Sequence, residues 1–280
     1  TTVDARLRFD RGGPLPVLVG ASGAPKMLKM RGGEAHGVII PAGNQAFYRY
    51  AVDAFRQSMR DAGRRARGAT LYVTLEPCAH RSPRGPACSD LLVEAGVARV
   101  VAGVEDPDPR TAGDGLARLR HAGIEAGLLP SPAAEASLAG YLTRARHDRP
   151  HVTMKIAMSL DGCIAMASGE SQWITGEAAR AHVHSRRALA DAILVGGGTW
   201  RADAPRLDVR LPGLETRSPQ RWVLTSQEAP GARTIAAPAE IARIPAQYLY
   251  VEGGAHTAAS FLEADLVDRL DIYPAPLLIG

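Results

Sequence analysis

Two cysteines, Cys78 and Cys88, are the residues of this sequence best suited to bind a metal. They lie in the stretch TLEPCAHRSPRGPAC. The run ATLYV (69–73) before it is typical of a buried strand, and SDLLVEA (89–95) after it predicts a helix with Ser89 as N-cap. A helix N-terminus favours negative charge and therefore thiolates, and two neighbouring thiolates are good zinc ligands. The segment thus indicates a zinc site, with two small core cysteines as the alternative.

The residues around this pair resemble a known group of enzymes. Zinc-dependent nucleobase deaminases carry His-x-Glu followed by Pro-Cys-x-x-Cys, whereas here nine residues separate the cysteines. The longer loop, TLEP before it and EDPDP after it are similar to the deaminase domain of the bifunctional deaminase/reductases of riboflavin biosynthesis, over roughly residues 67–129. The resemblance implies a cytidine-deaminase-like α/β fold, bound zinc and hydrolytic loss of ammonia from a pyrimidine.

The third zinc ligand and the catalytic base depart from the family pattern. The family carries both in a His-Ala-Glu triplet that opens the helix before the TLEPC strand, and this sequence contains no such triplet. Asn-Gln-Ala stands at the predicted helix start, residues 44–46. The same residue types occur in reverse order at 34–36, so His36 is the candidate third ligand and Glu34 the candidate base. A surface loop is the alternative for these two residues.

Alternating strands and helices are predicted through the first half. We expect strands at 15–19, 38–40, 97–102 and 124–129, helices at 44–61 and 113–122, and a further helix that ends near residue 146. The segment EDP (105–107) follows the third of these strands, at the carboxyl edge where open α/β sheets bind ligands. We place the domain boundary near 147–150, which gives a deaminase domain at 1–147 and a second domain at 148–280.

The second domain contains two strands that run into glycines. The strands at 191–195 and 248–252 lead into Gly196-Gly197-Gly198 and Gly253-Gly254. Such turns can bring backbone N–H groups close to phosphate, although a tight turn is the simpler alternative. A strand at 152–157, a helix at 177–189 and a helix ending near 264 complete the α/β pattern, which lacks a G-x-G-x-x-G motif.

Several segments of this half resemble the reductase domain of the same family. They are KIAMSLDGCIA, GESQWIT, DAILVGGGTWRADAPRLDVR, VEGG and LVDRLDIYPAPLLIG. The resemblance implies a dihydrofolate-reductase-like fold that uses NADPH. The residues that it assigns to the cofactor are Ala157, Trp173, Thr199, Asp203 and Gly254. Those that it assigns to the substrate are Ser171, Arg187, Leu207, Arg210 and Glu252.

Two of these substrate residues also suit their role by chemistry. Arg187 and Arg210 can grip a ribose phosphate through charge-assisted bidentate hydrogen bonds, with solvated surface arginine as the alternative. The family sequence continues beyond the segment PAPLLIG that ends this chain at Gly280. We therefore expect the reductase domain to be short at its C-terminus.

The composition is that of a globular chain with a modest positive charge. The 280 residues favour two domains, and a net charge of +4 suits an anionic substrate but is too small to indicate nucleic-acid binding. Three cysteines make no disulfide framework, which favours a reducing compartment. Since the sequence has no 18-residue apolar run and no signal peptide, we expect a cytoplasmic protein without membrane partners.

Three functional hypotheses follow. The first is a bifunctional enzyme that deaminates 2,5-diamino-6-(5-phosphoribosylamino)pyrimidin-4-one with zinc and then reduces the ribose to ribityl with NADPH. The second is a reductase with a degenerate or structural zinc domain, and the third is a non-enzymatic zinc module that binds nucleotides. The expected partner is a small phosphoribosyl pyrimidine, and self-association is left open. Metal content and separate assays of the two half-reactions discriminate among the three.

Overall fold

A computed structural model of the chain shows an α/β protein. It describes residues 18–20 and 37–39 by their backbone, and residues 68, 70–81, 85–166 and 174–279 in full. The chain divides into two compact units, residues 1–138 and 139–280. Four of the candidate site residues lie outside the described residues: Glu34, His36, Ser171 and Trp173.

The first unit is built on a parallel three-stranded sheet. Its described strands are β1 (Leu18–Gly20), β2 (Gly37–Ile39), β3 (Thr70–Leu75), β4 (Arg99–Val104) and β5 (Glu125–Leu128). β1 pairs with β2, and β3, β4 and β5 form the sheet in that order. In β4 alternate residues are buried, and Val100 packs with Leu116 and Leu119 of the following helix. In this sheet β3, β4 and β5 lie side by side in the same order as in the chain, as is usual for strands joined by short connections.

Three helices of this unit lie among the described residues: α1 (Cys88–Ala95), α2 (Asp114–His121) and α3 (Pro132–Ser137). α1 ends at Gly96, whose φ of 66° is a left-handed conformation that favours glycine. Ser89 is not its N-cap: the helix begins one residue earlier, and Ala87 occupies the cap position without a side-chain hydrogen bond. The helix predicted at 44–61 lies outside the described residues.

The second unit contains a six-stranded parallel sheet with apolar cores on both faces. The strand order is β11-β6-β10-β7-β8-β9. The bounds are β6 (His151–Ser159), β7 (Ala192–Gly196), β8 (Gln220–Leu224), β9 (Arg233–Ile235), β10 (Tyr248–Val251) and β11 (Arg269–Ala275). All five residues of β7 are buried, since Leu194 faces one core and Ile193 and Val195 the other. Burial on both faces explains why this strand is a continuous apolar run in the sequence.

The described helices of the second unit are α4 (Ala139–His147), α5 (Glu177–Arg187), α6 (Gly197–Asp203) and α7 (Ala255–Glu263). Two 3-10 turns cover 215–217 and 238–243. The single helix expected before residue 146 is two helices, α3 and α4, with a break at Leu138. Arg144 of α4 donates to the carbonyls of Ala242 (3.0 Å) and Ala246 (2.8 Å), so α4 packs within the second unit.

The predicted domain boundary at 147–148 stays a prediction. Among the described residues, no helix combines the length and the apolar character needed to cross a membrane.

Candidate active sites

The two cysteines lie side by side at the carboxyl end of β3. Cys78 follows that strand and Cys88 opens α1. The backbone N–H of Cys88 donates to Sγ of Cys78 at 3.2 Å. Ser89 donates twice to the Cys78 carbonyl, from its backbone N–H (3.2 Å) and from Oγ (3.0 Å). These bonds close the loop, so residues ten positions apart present neighbouring thiols.

The surroundings of Cys78 favour its thiolate. The hydrogen bond from the Cys88 side chain has the largest effect and lowers the pKa of Cys78, from an ordinary 9.0 to about 6. Burial and the negative charge of Asp106 oppose this change, while the Cys88 backbone N–H and the nearby His80 support it. The pair therefore fits zinc, because a thiol must lose its proton to bind the metal.

The rest of the metal shell is not found in the described part of the chain. There, no cluster of three or more His, Cys, Asp and Glu side chains is arranged to hold a metal. His80 is the nearest imidazole in sequence, and its Nδ1 is 3.2 Å from Oγ1 of Thr111. The candidate third ligand, His36, and the candidate base, Glu34, lie outside the described residues, so their roles stay predictions.

A buried carboxylate braces the segment that carries Cys78. Glu76 is 3% exposed and accepts backbone N–H bonds from Gly113 and Leu116, both at 3.0 Å, and from Asp106 at 3.3 Å. These donors belong to the connection after β4 and to the start of α2, where negative charge is stabilised. Glu76 therefore ties Cys78 to the loop that faces it. Sequence reasoning missed this role, although a glutamate between a buried strand and a proline was a signal.

In the second unit the two glycine-rich strand ends lie next to each other, because β7 pairs with β10. Only some of these glycines have open space beside the Cα atom. A Cβ at Gly196 or Gly253 would overlap the side chain of Thr257, whereas a Cβ at Gly198 would meet nothing within 4 Å. Gly196 and Gly253 are therefore packed against Thr257, whereas Gly198 and Gly254 have open space beside their Cα atoms. Thr257, which fills the space beside Gly196 and Gly253, carried no local signal in the sequence.

Gly254, one of the open positions, is a predicted cofactor residue and lies close to another. The nearest atom to a Cβ at Gly254 is Oγ1 of Thr199, at 3.9 Å. Gly254 is also the N-cap of α7. Because glycine has no side chain that could accept from the first N–H groups of that helix, these groups can donate hydrogen bonds to phosphate oxygens. Asp203 ends α6 and is exposed, and Ala157 lies half-buried near the carboxyl end of β6. This arrangement fits a dinucleotide.

Two predicted substrate residues are bound to each other. Arg187 donates to the carboxylate of Glu252 through Nε (2.6 Å) and Nη2 (2.9 Å), and its Nη1 donates to the Asp208 carbonyl at 3.0 Å. Both side chains are about nine-tenths buried. The pair joins α5 to the end of β10 and fixes the guanidinium in one orientation.

The loop that follows α6 carries the other two described substrate residues. Leu207 is buried and has a φ of 54°, an uncommon left-handed conformation for a leucine that is often found at functional sites. Arg210 is exposed, and its Nε lies 3.3 Å from Oδ1 of Asp208 as an ion pair without hydrogen-bond geometry. The loop is thus held at Leu207 and open to solvent at Arg210.

His184 supports this loop from α5. Burial lowers the pKa of His184, and the charges of Arg187 and Arg210 lower it further, which favours a neutral ring. In one neutral tautomer Nδ1 accepts the backbone N–H of Arg210 at 3.3 Å. In the other it donates to the Asp208 carbonyl at 3.1 Å. Either bond holds the backbone beside Arg210.

Two family models match the chain. The model for the cytidine and deoxycytidylate deaminase zinc-binding region matches residues 34–104, and the RibD C-terminal domain model matches residues 150–280. A zinc deaminase region followed by this reductase domain defines a bifunctional deaminase and reductase that uses zinc and NADPH. The predictions of fold class and of both cofactors are thereby confirmed.

Whole-chain relatives identify the family. The riboflavin biosynthesis protein RibD of Escherichia coli is 39% identical over 275 residues, 80% of this chain and 74% of the relative. That of Mycobacterium tuberculosis is 41% identical over 241 residues, 80% and 70% of the two chains. The solved RibD of Acinetobacter baumannii is 34% identical with a TM-score of 0.70, covering 80% of this chain and 73% of that one. The chain belongs to the RibD family of riboflavin biosynthesis enzymes, and the hypothesis of a non-enzymatic module is set aside.

A second solved relative carries its reaction in its name. This Thermotoga maritima protein is described as a diaminohydroxyphosphoribosylaminopyrimidine deaminase/5-amino-6-(5-phosphoribosylamino)uracil reductase. It is 32% identical with a TM-score of 0.71, and the match covers 80% of this chain and 72% of that one.

Proposed function

We propose that the first domain deaminates 2,5-diamino-6-(5-phosphoribosylamino)pyrimidin-4-one and that the second reduces the ribose of the product to ribityl. The observation that carries the first half is the pair of adjacent thiols at Cys78 and Cys88, one of which is poised as a thiolate. A reducing compartment, the cytoplasm, suits the three cysteines, none of which is in a disulfide.

In the deaminase, the chain's residues hold the metal and move protons. Cys78 and Cys88 would hold zinc together with His36, and the bound metal would supply a water that is nucleophilic at neutral pH. Glu34 would take a proton from this water and give it to the leaving amino group. One C–N bond is replaced by a C–O bond, and ammonia leaves. Glu76 keeps the Cys78 segment in place through its three backbone bonds.

The role of Glu34 has a direct test. Replacing Glu34 with glutamine removes the proton carrier and leaves the thiol pair intact. We therefore expect zinc stoichiometry to stay at the parent level while ammonia release falls by about 100-fold or more. Reductase turnover of the same molecule, measured with the deaminated substrate and NADPH, is the internal control. Deaminase activity that survives the change would place the base at another residue, and a parent without ammonia release would favour the reductase-only alternative.

In the reductase, the chain's residues position the reactants. When bound, NADPH would supply a hydride for the carbonyl carbon of the opened ribose, and the carbonyl oxygen would take a proton from solvent. Thr199 lies beside the open position at Gly254, and these two residues would bind the cofactor together with Ala157, Asp203 and Trp173. The substrate is held by Arg187, Glu252, Leu207, Arg210 and Ser171.

The two arginines have different parts in this scheme. Three of the five N–H donors of Arg187 are engaged by Glu252 and by the Asp208 carbonyl, which leaves two for substrate oxygens in a fixed orientation. Arg210 has an exposed guanidinium with one loose contact to Asp208, so it can turn to a phosphate. Arg210 is therefore the clamp for the ribose phosphate.

Replacing Arg210 with alanine tests this clamp. We expect kcat/KM for the phosphorylated substrate to fall roughly 30- to 1000-fold, because a charged partner of the phosphate is lost, and NADPH affinity to stay within about twofold. Arg206→Ala is the matched control, since Arg206 is an exposed arginine that pairs with the other oxygen of the same Asp208 (2.6 Å). Weaker NADPH binding with unchanged use of the substrate would reverse the assignment of the two ligands.

A further inference from the structure

One carboxylate lies between two exposed arginines in the segment that follows α6. Burial alternates along this segment: Leu207 and Val209 are buried, whereas Arg206 and Arg210 are exposed on either side of Asp208. Oδ2 of Asp208 pairs with Nη2 of Arg206 at 2.6 Å, and its Oδ1 lies 3.3 Å from Nε of Arg210. Each oxygen of the carboxylate therefore faces a different arginine, and the second of these arginines is the one assigned to the substrate phosphate.

The backbone that carries this carboxylate is held on both sides. The carbonyl of Asp208 accepts from Nη1 of Arg187 at 3.0 Å. The backbone N–H of the next residue, Val209, donates to Oγ of Ser218 at 3.0 Å. By contrast, the side chain of Arg210 is 55% exposed, and a long side chain of this kind has many rotamers when nothing fixes it. Asp208 is thus the fixed member of the pair and Arg210 the movable one.

Oδ1 of Asp208 is an acceptor whose hydrogen bond is not yet made. This oxygen is buried and receives no hydrogen bond from the residues that the structure describes. Buried carboxylate oxygens are normally hydrogen-bonded, because a donor must replace the water that burial removes. The Nε group of Arg210 is at ion-pair distance from it but lacks the geometry of a hydrogen bond. A small rotation of the guanidinium supplies the missing bond.

A guanidinium held in this way is well oriented for a phosphate. The group is planar and carries five N–H donors in a fixed fork. A carboxylate at Nε leaves Nη1 and Nη2 free, and these two nitrogens can form parallel charge-assisted hydrogen bonds to two phosphate oxygens. Without the carboxylate, the whole side chain must be ordered when the substrate binds, which lowers affinity roughly 3- to 10-fold.

We propose that Asp208 is a positioning residue of the reductase, which orients Arg210 toward the phosphate of the substrate. The inference rests on the proposed role of Arg210 as the phosphate clamp. Asp208 also carries a charge of the same sign as the phosphate, so its removal relieves some repulsion. The two effects differ in one respect: orientation acts only through the Arg210 side chain, whereas repulsion acts whether or not that side chain is present.

A double-mutant cycle on the full chain separates the two effects. Asp208→Asn is made alone and in the Arg210→Ala background, and turnover is measured at saturating NADPH. We expect Asp208→Asn alone to raise KM for the phosphorylated substrate roughly 3- to 10-fold and to leave kcat within about twofold. In the Arg210→Ala background the same change should leave KM unchanged or lower it slightly. With the dephosphorylated substrate, the parent and Asp208→Asn should have the same KM.

Asp268→Asn is the matched control. The Asp268 side chain is 21% exposed, as is that of Asp208, and it pairs with Arg149 at 2.6 Å just before β11. Its replacement removes a similar ion pair and should leave KM at the parent value. Equal effects of Asp208→Asn in both backgrounds, or a lower KM when Arg210 is present, overturn the inference while the clamp stands. If Arg210→Ala uses the phosphorylated substrate as well as the parent does, the clamp fails and this inference with it.

Discussion

Replacing Cys78 with serine is expected to leave the purified chain without zinc and without ammonia release. The change removes one of the two thiolate ligands and, with it, the sulfur that accepts the Cys88 backbone N–H. Without the metal, the pKa of the attacking water is no longer lowered toward neutral, so the deaminase rate should fall on the order of 1000-fold or more. Metal content by atomic emission and ammonia release by a coupled assay measure the two effects.

Cys163→Ser is the control for this experiment. Cys163 is the third cysteine, it belongs to the second unit, and like the other two it is not in a disulfide. Its replacement should leave the zinc content at the parent value. The reductase of the Cys78 variant should keep its turnover, which shows that the chain is folded. Equal zinc contents in Cys78→Ser and the parent would disprove the assignment of this residue to the metal.

The Arg187→Met substitution should have the largest effect on the second domain. It leaves the buried carboxylate of Glu252 without the two hydrogen bonds that compensate its charge. Breaking a buried pair in this way costs about 3–5 kcal/mol of the free energy of unfolding. All three tryptophans of the sequence lie in the second half of the chain, so tryptophan fluorescence in a urea titration reports on this domain. Substrate turnover should be lost as well.

Two further variants separate stability from function here. Arg186→Met removes the neighbouring arginine of α5, but its partner Asp271 keeps a second bond, from Arg269 (2.8 Å), so the loss of stability should be clearly smaller. The double change Arg187→Met with Glu252→Leu removes both buried charges. It should recover most of the stability without recovering reduction. If Arg187→Met lowers the free energy of unfolding no more than Arg186→Met does, the ion pair between Arg187 and Glu252 does not stabilise this part of the domain.

Local patterns in the sequence determined a large part of the fold. The apolar run at 191–195 predicted β7, since a strand buried on both faces needs apolar residues at every position. The helix at 113–122 was predicted within a residue at each end, because apolar spacing and a flanking glycine are local signals. Motifs around Cys78 and Gly253 led to the family, and with it to zinc and NADPH.

Contacts between distant residues were decided only by the tertiary structure. Ser89 had the sequence signature of an N-cap, yet it lies inside the helix, and its hydroxyl donates to the Cys78 carbonyl, which the returning loop brings to 3.0 Å. The bidentate pair of Arg187 and Glu252 joins residues 65 positions apart. Periodicity and spacing report which face of an element is buried, but they do not report which element packs against that face. For this reason the sequence only predicted which residues belong to the reductase site, and the folded chain showed that two of them, Arg187 and Glu252, bind each other.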